Sequence, residues 1–100
     1  MLLTAARLPF PYPLMWTEHE NALTRTFRFP DFKLAFCFMT DVAEEAEHQG
    51  HHPWWSNEYA TVSFRLSTHA AGRIVTAQDH QLAAAIDQLA AAYQGQVVNS

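Results

Sequence analysis

One hundred residues, 49% hydrophobic and 13% aromatic with 3 Gly and 5 Pro, make one globular domain near the lower size limit for a self-sufficient core, which excludes a disordered or fibrous chain and predicts a homo-oligomer, dimer or tetramer. The formal net charge is −4 and the 6 Lys and Arg residues are scattered from Arg7 to Arg73, so no basic patch offers itself to a nucleic-acid partner. Cys37 is the sole cysteine, so no internal disulfide forms, in keeping with a cytoplasmic location, and its helical setting reads as a small buried apolar residue rather than a catalytic thiol.

In chain order, residues 1–13 read as an irregular arm, because Pro9, Pro11 and Pro13 break an apolar stretch that falls short of the ~20 residues of a membrane span and lacks the layout of a secretory signal. No membrane partner is expected. The domain proper is expected over 14–95, with 96–100 as a tail. Strand-like segments cover 14–18 and 23–29 on either side of His19-Glu20-Asn21-Ala22. In the second, Leu23, Arg25, Phe27 and Phe29 alternate with Thr24, Thr26 and Arg28, and Arg25 interrupts the apolar face.

Asp31 is placed to cap a helix in which Phe32, Ala35, Phe36, Met39, Val42, Ala43 and Ala46 recur at three- and four-residue steps, ending near Gly50. The Phe32, Phe36 and Phe38 stripe is expected to be core. A short strand is expected over 55–59 and a clearer one over 61–68, where Val62, Phe64 and Leu66 share one face and Ser63, Arg65 and Ser67 the other. Thr76-Ala77-Gln78-Asp79 resembles a capping box with Asp in the Glu position, and Leu82, Ala85, Ile86, Leu89, Ala90 and Tyr93 form the apolar face of a final helix closed by Gly95. The order β-β-α-β-β-α predicts an α+β two-layer sandwich: a four-stranded antiparallel sheet with the helices on one face.

Four of the six histidines fall between positions 48 and 69. Imidazole titrates near neutral pH, so His51, His52 and His69, gathered where a helix ends and a strand ends, would suit proton transfer on a small ligand. Trp54 and Trp55 would wall a flat heterocycle, with Trp55 the more direct contact; the backbone of Ser67 and Thr68 would supply directional hydrogen bonds, and Glu47 would either orient an imidazole or hold the heterocycle's polar edge. His19, His48 and His80 read as surface residues. Asp79 reads as a partner for a histidine or as no more than the cap partner of Thr76.

Glu47, three intervening residues, His51-His52-Pro53, Trp55, Ser56-Asn57-Glu58-Tyr59 and Ser67-Thr68-His69 stand in an order that resembles the pterin-4a-carbinolamine dehydratases, and the resemblance runs over 16–93. It implies a hydro-lyase that removes water from 4a-hydroxytetrahydrobiopterin to give quinonoid dihydropterin in tetrahydrobiopterin recycling, without a metal or organic cofactor. It further implies that His51 and His69 act as the acid and base, in either order, and that His52 binds and orients the substrate. Two departures stand out. The loop between His69 and Asp79 is one residue longer than is usual in the family, and the arm is broken by prolines where family members commonly have a short helix.

Two other readings compete. Glu47, His48, His51 and His69 have spacings compatible with metal chelation, although Gly50 ends the helix before His51 and no cysteine joins them. The family resemblance also implies a non-catalytic role, since its members serve as dimerisation cofactors of a homeodomain transcription factor.

Overall fold

The computed structural model describes residues 15–99; the arm at 1–13 and Leu14, the first residue of the expected strand, lie outside the described residues. β1 (Thr17–His19) and β2 (Ala22–Arg28) form a hairpin whose two turn residues, Glu20 and Asn21, both take positive φ. That backbone suits the right-handed strand twist. β2 then pairs along its length with β4 (Thr61–Leu66), and β4 pairs with β3 (Trp54–Glu58), all antiparallel. Residues 96–99, read as a tail in the sequence, form a further strand, β5 (Gln96–Asn99), which pairs with the second half of β2. The sheet is therefore five-stranded, with β1 and β5 sharing one edge of β2. The expected α+β arrangement stands, and β5 extends it.

Two helices cover one face of this sheet. α1 (Phe32–Gln49) starts where Asp31 Oδ1 accepts the Leu34 N–H at 2.8 Å and stops at Gly50, whose φ of 65° is the left-handed conformation that glycine adopts without penalty. α2 (Ala77–Ala92) carries Leu82, Ile86 and Ala90 inward, to meet Phe38 and Val42 of α1 and Phe27, Val62, Phe64 and Leu66 of the sheet. Phe27, Phe38 and Phe64 pack with ring centroids 5.8–6.1 Å apart and two of the three pairs edge-on, an arrangement that aromatic quadrupoles favour.

The aromatic stripe of α1 is corrected in part. Phe38 is fully buried, but Phe32 and Phe36 are 46% and 56% exposed and lie against each other on the outer flank, 5.9 Å apart. The angular reason is simple: Ala35, Phe38, Val42 and Ala46 occupy the inward face, and residues 32 and 36 sit one step around the helix from it.

Arg25, the odd residue on the apolar face of β2, is buried with a partner. Its guanidinium donates to Asp87 of α2 at 3.1 Å and to the Met15 carbonyl at 3.0 Å, and stacks 5.6 Å from the Trp16 ring centre. Trp16 Nε1 donates to the same carboxylate. This clasp ties α2 to the sheet. Burial pushes the Asp87 carboxyl above its ordinary value, opposed by the Trp16 hydrogen bond and the Arg25 charge. Among the described residues no helix is long and apolar enough to cross a membrane.

Candidate active site

Three element ends meet at one rim of the sandwich. At the end of α1, the His51 N–H returns to the Ala46 carbonyl at 3.0 Å and the Gly50 N–H to the Glu47 carbonyl at 3.2 Å, so the helix closes and delivers His51 with no slack. At the end of β4, the Thr68 N–H donates to the Ile74 carbonyl at 2.8 Å while its own carbonyl accepts from Arg73 at 2.9 Å, closing a tight loop. A single 3₁₀ turn, His69–Ala71, holds His69 on the outside of that loop. At the start of α2, the first-turn Asp79 accepts the Thr76 N–H at 2.8 Å, as the capping-box spacing predicted.

Asp79 is completely buried, and it does more than cap. Its Oδ1 lies 2.6 Å from His51 Nε2 and its Oδ2 accepts the Thr68 hydroxyl at 2.7 Å. A carboxylate only accepts, so the hydrogen-bond network assigns the His51 proton to Nε2 and leaves Nδ1 as the ring nitrogen available to a ligand. His51 itself is only 8% exposed. His52 is solvent-exposed, with Nε2 2.6 Å from Glu47 Oε2, so the acidic residue one helical turn before His51 orients the second histidine and not the first.

His51, His52 and His69 line one concavity of about 360 Å³ together with Ser67, Thr68 and Gln78. The structure thus brings together all three predicted histidines, with Ser67 and Thr68 beside them and Asp79 behind His51. Three placements differ from expectation. The Thr68 backbone N–H and carbonyl are both engaged by its loop, so this residue contributes its hydroxyl to Asp79 instead of backbone groups to a ligand. Trp55 packs its ring 5.7 Å from Phe64 against the core, Trp54 points out of the opposite side of β3, and neither lines the concavity. Glu47 does not line the concavity as a polar-edge contact would; it takes the other role expected of it, against the His52 imidazole, and faces a separate, shallow depression bounded by Glu44, His48 and Leu89.

Gln78 had no sequence signal. Thr76 had one, the capping box, but its hydroxyl contact with Thr68 at 2.6 Å could not be read from spacing. Among the described residues no group of three or more His, Cys, Asp or Glu side chains is placed to hold a metal ion. A more apolar hollow of about 400 Å³ lies between Trp16, Leu23, Ala83 and Asp87, beside the Arg25 clasp. We place the chemistry in the smaller concavity, because three imidazoles and a buried carboxylate converge there.

The family described as pterin 4 alpha carbinolamine dehydratase matches residues 4–89. A protein of Rhodospirillum rubrum, provisionally named a pterin-4-alpha-carbinolamine dehydratase, is 52% identical over 73 residues, covering 73% of this chain and 75% of its own. One from Bradyrhizobium sp. strain ORS 278 with the same provisional name is 51% identical over 82 residues, 80% of this chain and 81% of its own. A crystal structure of a transcriptional coactivator/pterin dehydratase from Brucella melitensis superimposes with a TM-score of 0.70 at 38% identity, over 76% of this chain and 80% of that one. By sequence and fold, this chain belongs to the pterin-4a-carbinolamine dehydratase family.

Proposed function

We propose that the chain removes water from 4a-hydroxytetrahydrobiopterin, as a step in tetrahydrobiopterin recycling, by histidine general acid/base catalysis. The substrate carries a hydroxyl on C4a and a proton on N5. One imidazole protonates the departing hydroxyl, the C4a–O bond breaks, a second imidazole takes the N5 proton, and the C4a=N5 bond of the quinonoid dihydropterin forms. Charge and atoms balance within the substrate and one water.

The observation that carries the reading is His51, backed by buried Asp79 and facing the same concavity as His69. His51 and His69 are assigned the two proton transfers, and His52, steadied by Glu47, binds the pterin's polar edge. Ser67 stands at the rim as a further polar contact.

The test is to follow dehydration of the hydroxypterin, generated in situ, with the parent and with His51→Ala, His52→Ala and His69→Ala. We expect kcat to fall by about 10²–10⁴ for His51 and His69, the range of general acid/base contributions, and KM to rise for His52. Rates equal to the no-enzyme control for the parent would end the assignment.

A second role as a protein-binding cofactor is supported by the description of the Brucella structure as a transcriptional coactivator and by the exposed Phe32 and Phe36 pair. Self-association as a dimer or tetramer and residence in the cytoplasm complete the proposal. Sedimentation of Phe32→Ser/Phe36→Ser beside the parent tests whether that flank carries the association.

A further inference from the structure

The hydrogen bonds around Asp79 run one residue further than the histidine it faces. Thr68 Oγ1 sits 2.7 Å from Asp79 Oδ2 and 2.6 Å from Thr76 Oγ1. A hydroxyl has one proton to give. The carboxylate takes it, so the short contact between the two threonines exists as a hydrogen bond only if Thr76 donates and Thr68 accepts. The proton order is therefore fixed: Thr76 O–H to Thr68 O, Thr68 O–H to Asp79 Oδ2, and His51 Nε2–H to Asp79 Oδ1.

We propose that the hydroxyls of Thr76 and Thr68 form a directional chain that holds Asp79 against His51, making both threonines positioning residues for proton transfer; the inference rests on the dehydratase reading above. Thr76 grips Asp79 twice, through its backbone N–H on Oδ2 and through the Thr68 hydroxyl on the same oxygen. With Oδ2 occupied in this way, Oδ1 has His51 as its partner and the carboxylate plane is set. Thr68 cannot drift, since the bridge to Ile74 fixes its backbone. Thr68 and Asp79 are both buried, and in a low-dielectric setting each bond of a chain polarises the next, so donation from Thr76 strengthens donation to Asp79. A threonine serving only as a helix cap would have no effect on the His51 ring.

The experiment is a double-mutant cycle in the full chain with Thr68→Val and Thr76→Val, which keep side-chain shape and lose the hydroxyl, and with Thr68→Ser and Thr76→Ser, which keep it. Three readouts are taken: kcat and KM for dehydration, the His51 Nε2–H resonance in proton–nitrogen correlation spectra, and the thermal midpoint. Thr68→Val is expected to lower kcat about three- to tenfold at unchanged KM, the size of one neutral hydrogen bond, and to shift the Nε2–H resonance from its parent position. Thr76→Val is expected to do the same about twofold, and to add nothing on the Thr68→Val background, because its influence passes through that hydroxyl. Both serines are expected to restore the parent values.

Fully additive effects of the two valines on the resonance would overturn the chain, as would serine variants no better than valine or a parent lacking the Nε2–H signal. A parent that fails to dehydrate the hydroxypterin would defeat the proposed function alone. The resonance would then still support or overturn the hydroxyl chain by the same criteria.

Discussion

Replacing Asp79 with Asn separates what the buried carboxylate does for folding from what it does for chemistry. Asp79 accepts three hydrogen bonds, from His51 Nε2, the Thr68 hydroxyl and the Thr76 amide. In Asp79→Asn the side-chain carbonyl can keep both threonine donors, while the new NH₂ faces His51 and must donate to Nε2. The ring proton then moves to Nδ1. One of the two new amide hydrogens goes to His51 and the other replaces no existing hydrogen bond in this buried site, so about 1–3 kcal/mol for that donor adds to the charge-assisted increment of about 1 kcal/mol for each of the three bonds, or about 4–6 kcal/mol in all. For a domain of this size, at about 4–8 °C per kcal/mol, that lowers the thermal midpoint by roughly 20–40 °C. The chemical cost is separate, because the nitrogen facing the ligand is now protonated in the neutral ring and cannot serve as a base. The expected fall in kcat is about 10²–10⁴. Stopped-flow dehydration of the hydroxypterin well below the melting transition measures the rate, and ring-nitrogen spectra report which nitrogen carries the proton. A folded Asp79→Asn variant with the parent kcat, or with its proton still on Nε2, would refute the reasoning.

Other outcomes follow from the same geometry. Burial holds the Asp87 carboxyl above its ordinary value, so its contribution to stability is fully present below the unfolded-state value and is lost as pH rises through the raised folded-state value. Urea titrations across the acid range should therefore show the advantage of the parent over Asp87→Asn shrinking as pH increases, and an advantage that grows would contradict the burial argument. A Cβ at Gly95 would lie 2.6 Å from the buried Phe29 ring and 3.1 Å from the Ala90 carbonyl, so Gly95→Ala should cost about 1–3 kcal/mol in chemical denaturation. Phe36→Ser, on the exposed flank of α1, should change the unfolding free energy from urea titration by no more than about 0.5 kcal/mol, whereas Phe38→Ala should cost about 3–5 kcal/mol.

Periodicity carried most of the fold. The caps at Asp31 and Gly50, the alternation of Val62, Phe64 and Leu66, and the Leu82, Ile86 and Ala90 positions of α2 are all local signals, and each lies where it was expected, whereas Ala85, Leu89 and Tyr93 are only half-buried and Ala83 takes an inward place. β5 escaped because residues 96–99 have no alternation long enough to read, and their pairing with β2 is purely tertiary. Phe32 and Phe36 were misplaced because hydrophobicity alone does not say which of two adjacent helical stripes faces inward. The Arg25 anomaly was visible, but its partner was not, since Asp87 sits 62 positions away. At the site, the histidines were legible as a motif. The division of carboxylates between them was not: Glu47 serves His52 and Asp79 serves His51, a pairing that depends on how α1 ends. The two tryptophans show the same limit from the other side, because strand register decides whether an aromatic ring meets the core or the solvent.

The hydrogen-bond network of His51, Thr68, Thr76 and Asp79 is assembled from extremities: the last turn of α1, the closing residues of β4 and the opening turn of α2. Phe32 and Phe36, exposed on the flank of the first turns of α1, are not among the residues that line the concavity of the three imidazoles. Substitutions on that flank and substitutions at the three junctions are therefore separable events. If the proposed protein contact and the proposed dehydration both hold, changes along the flank would alter association and spare the rate, and changes at the junctions would do the reverse.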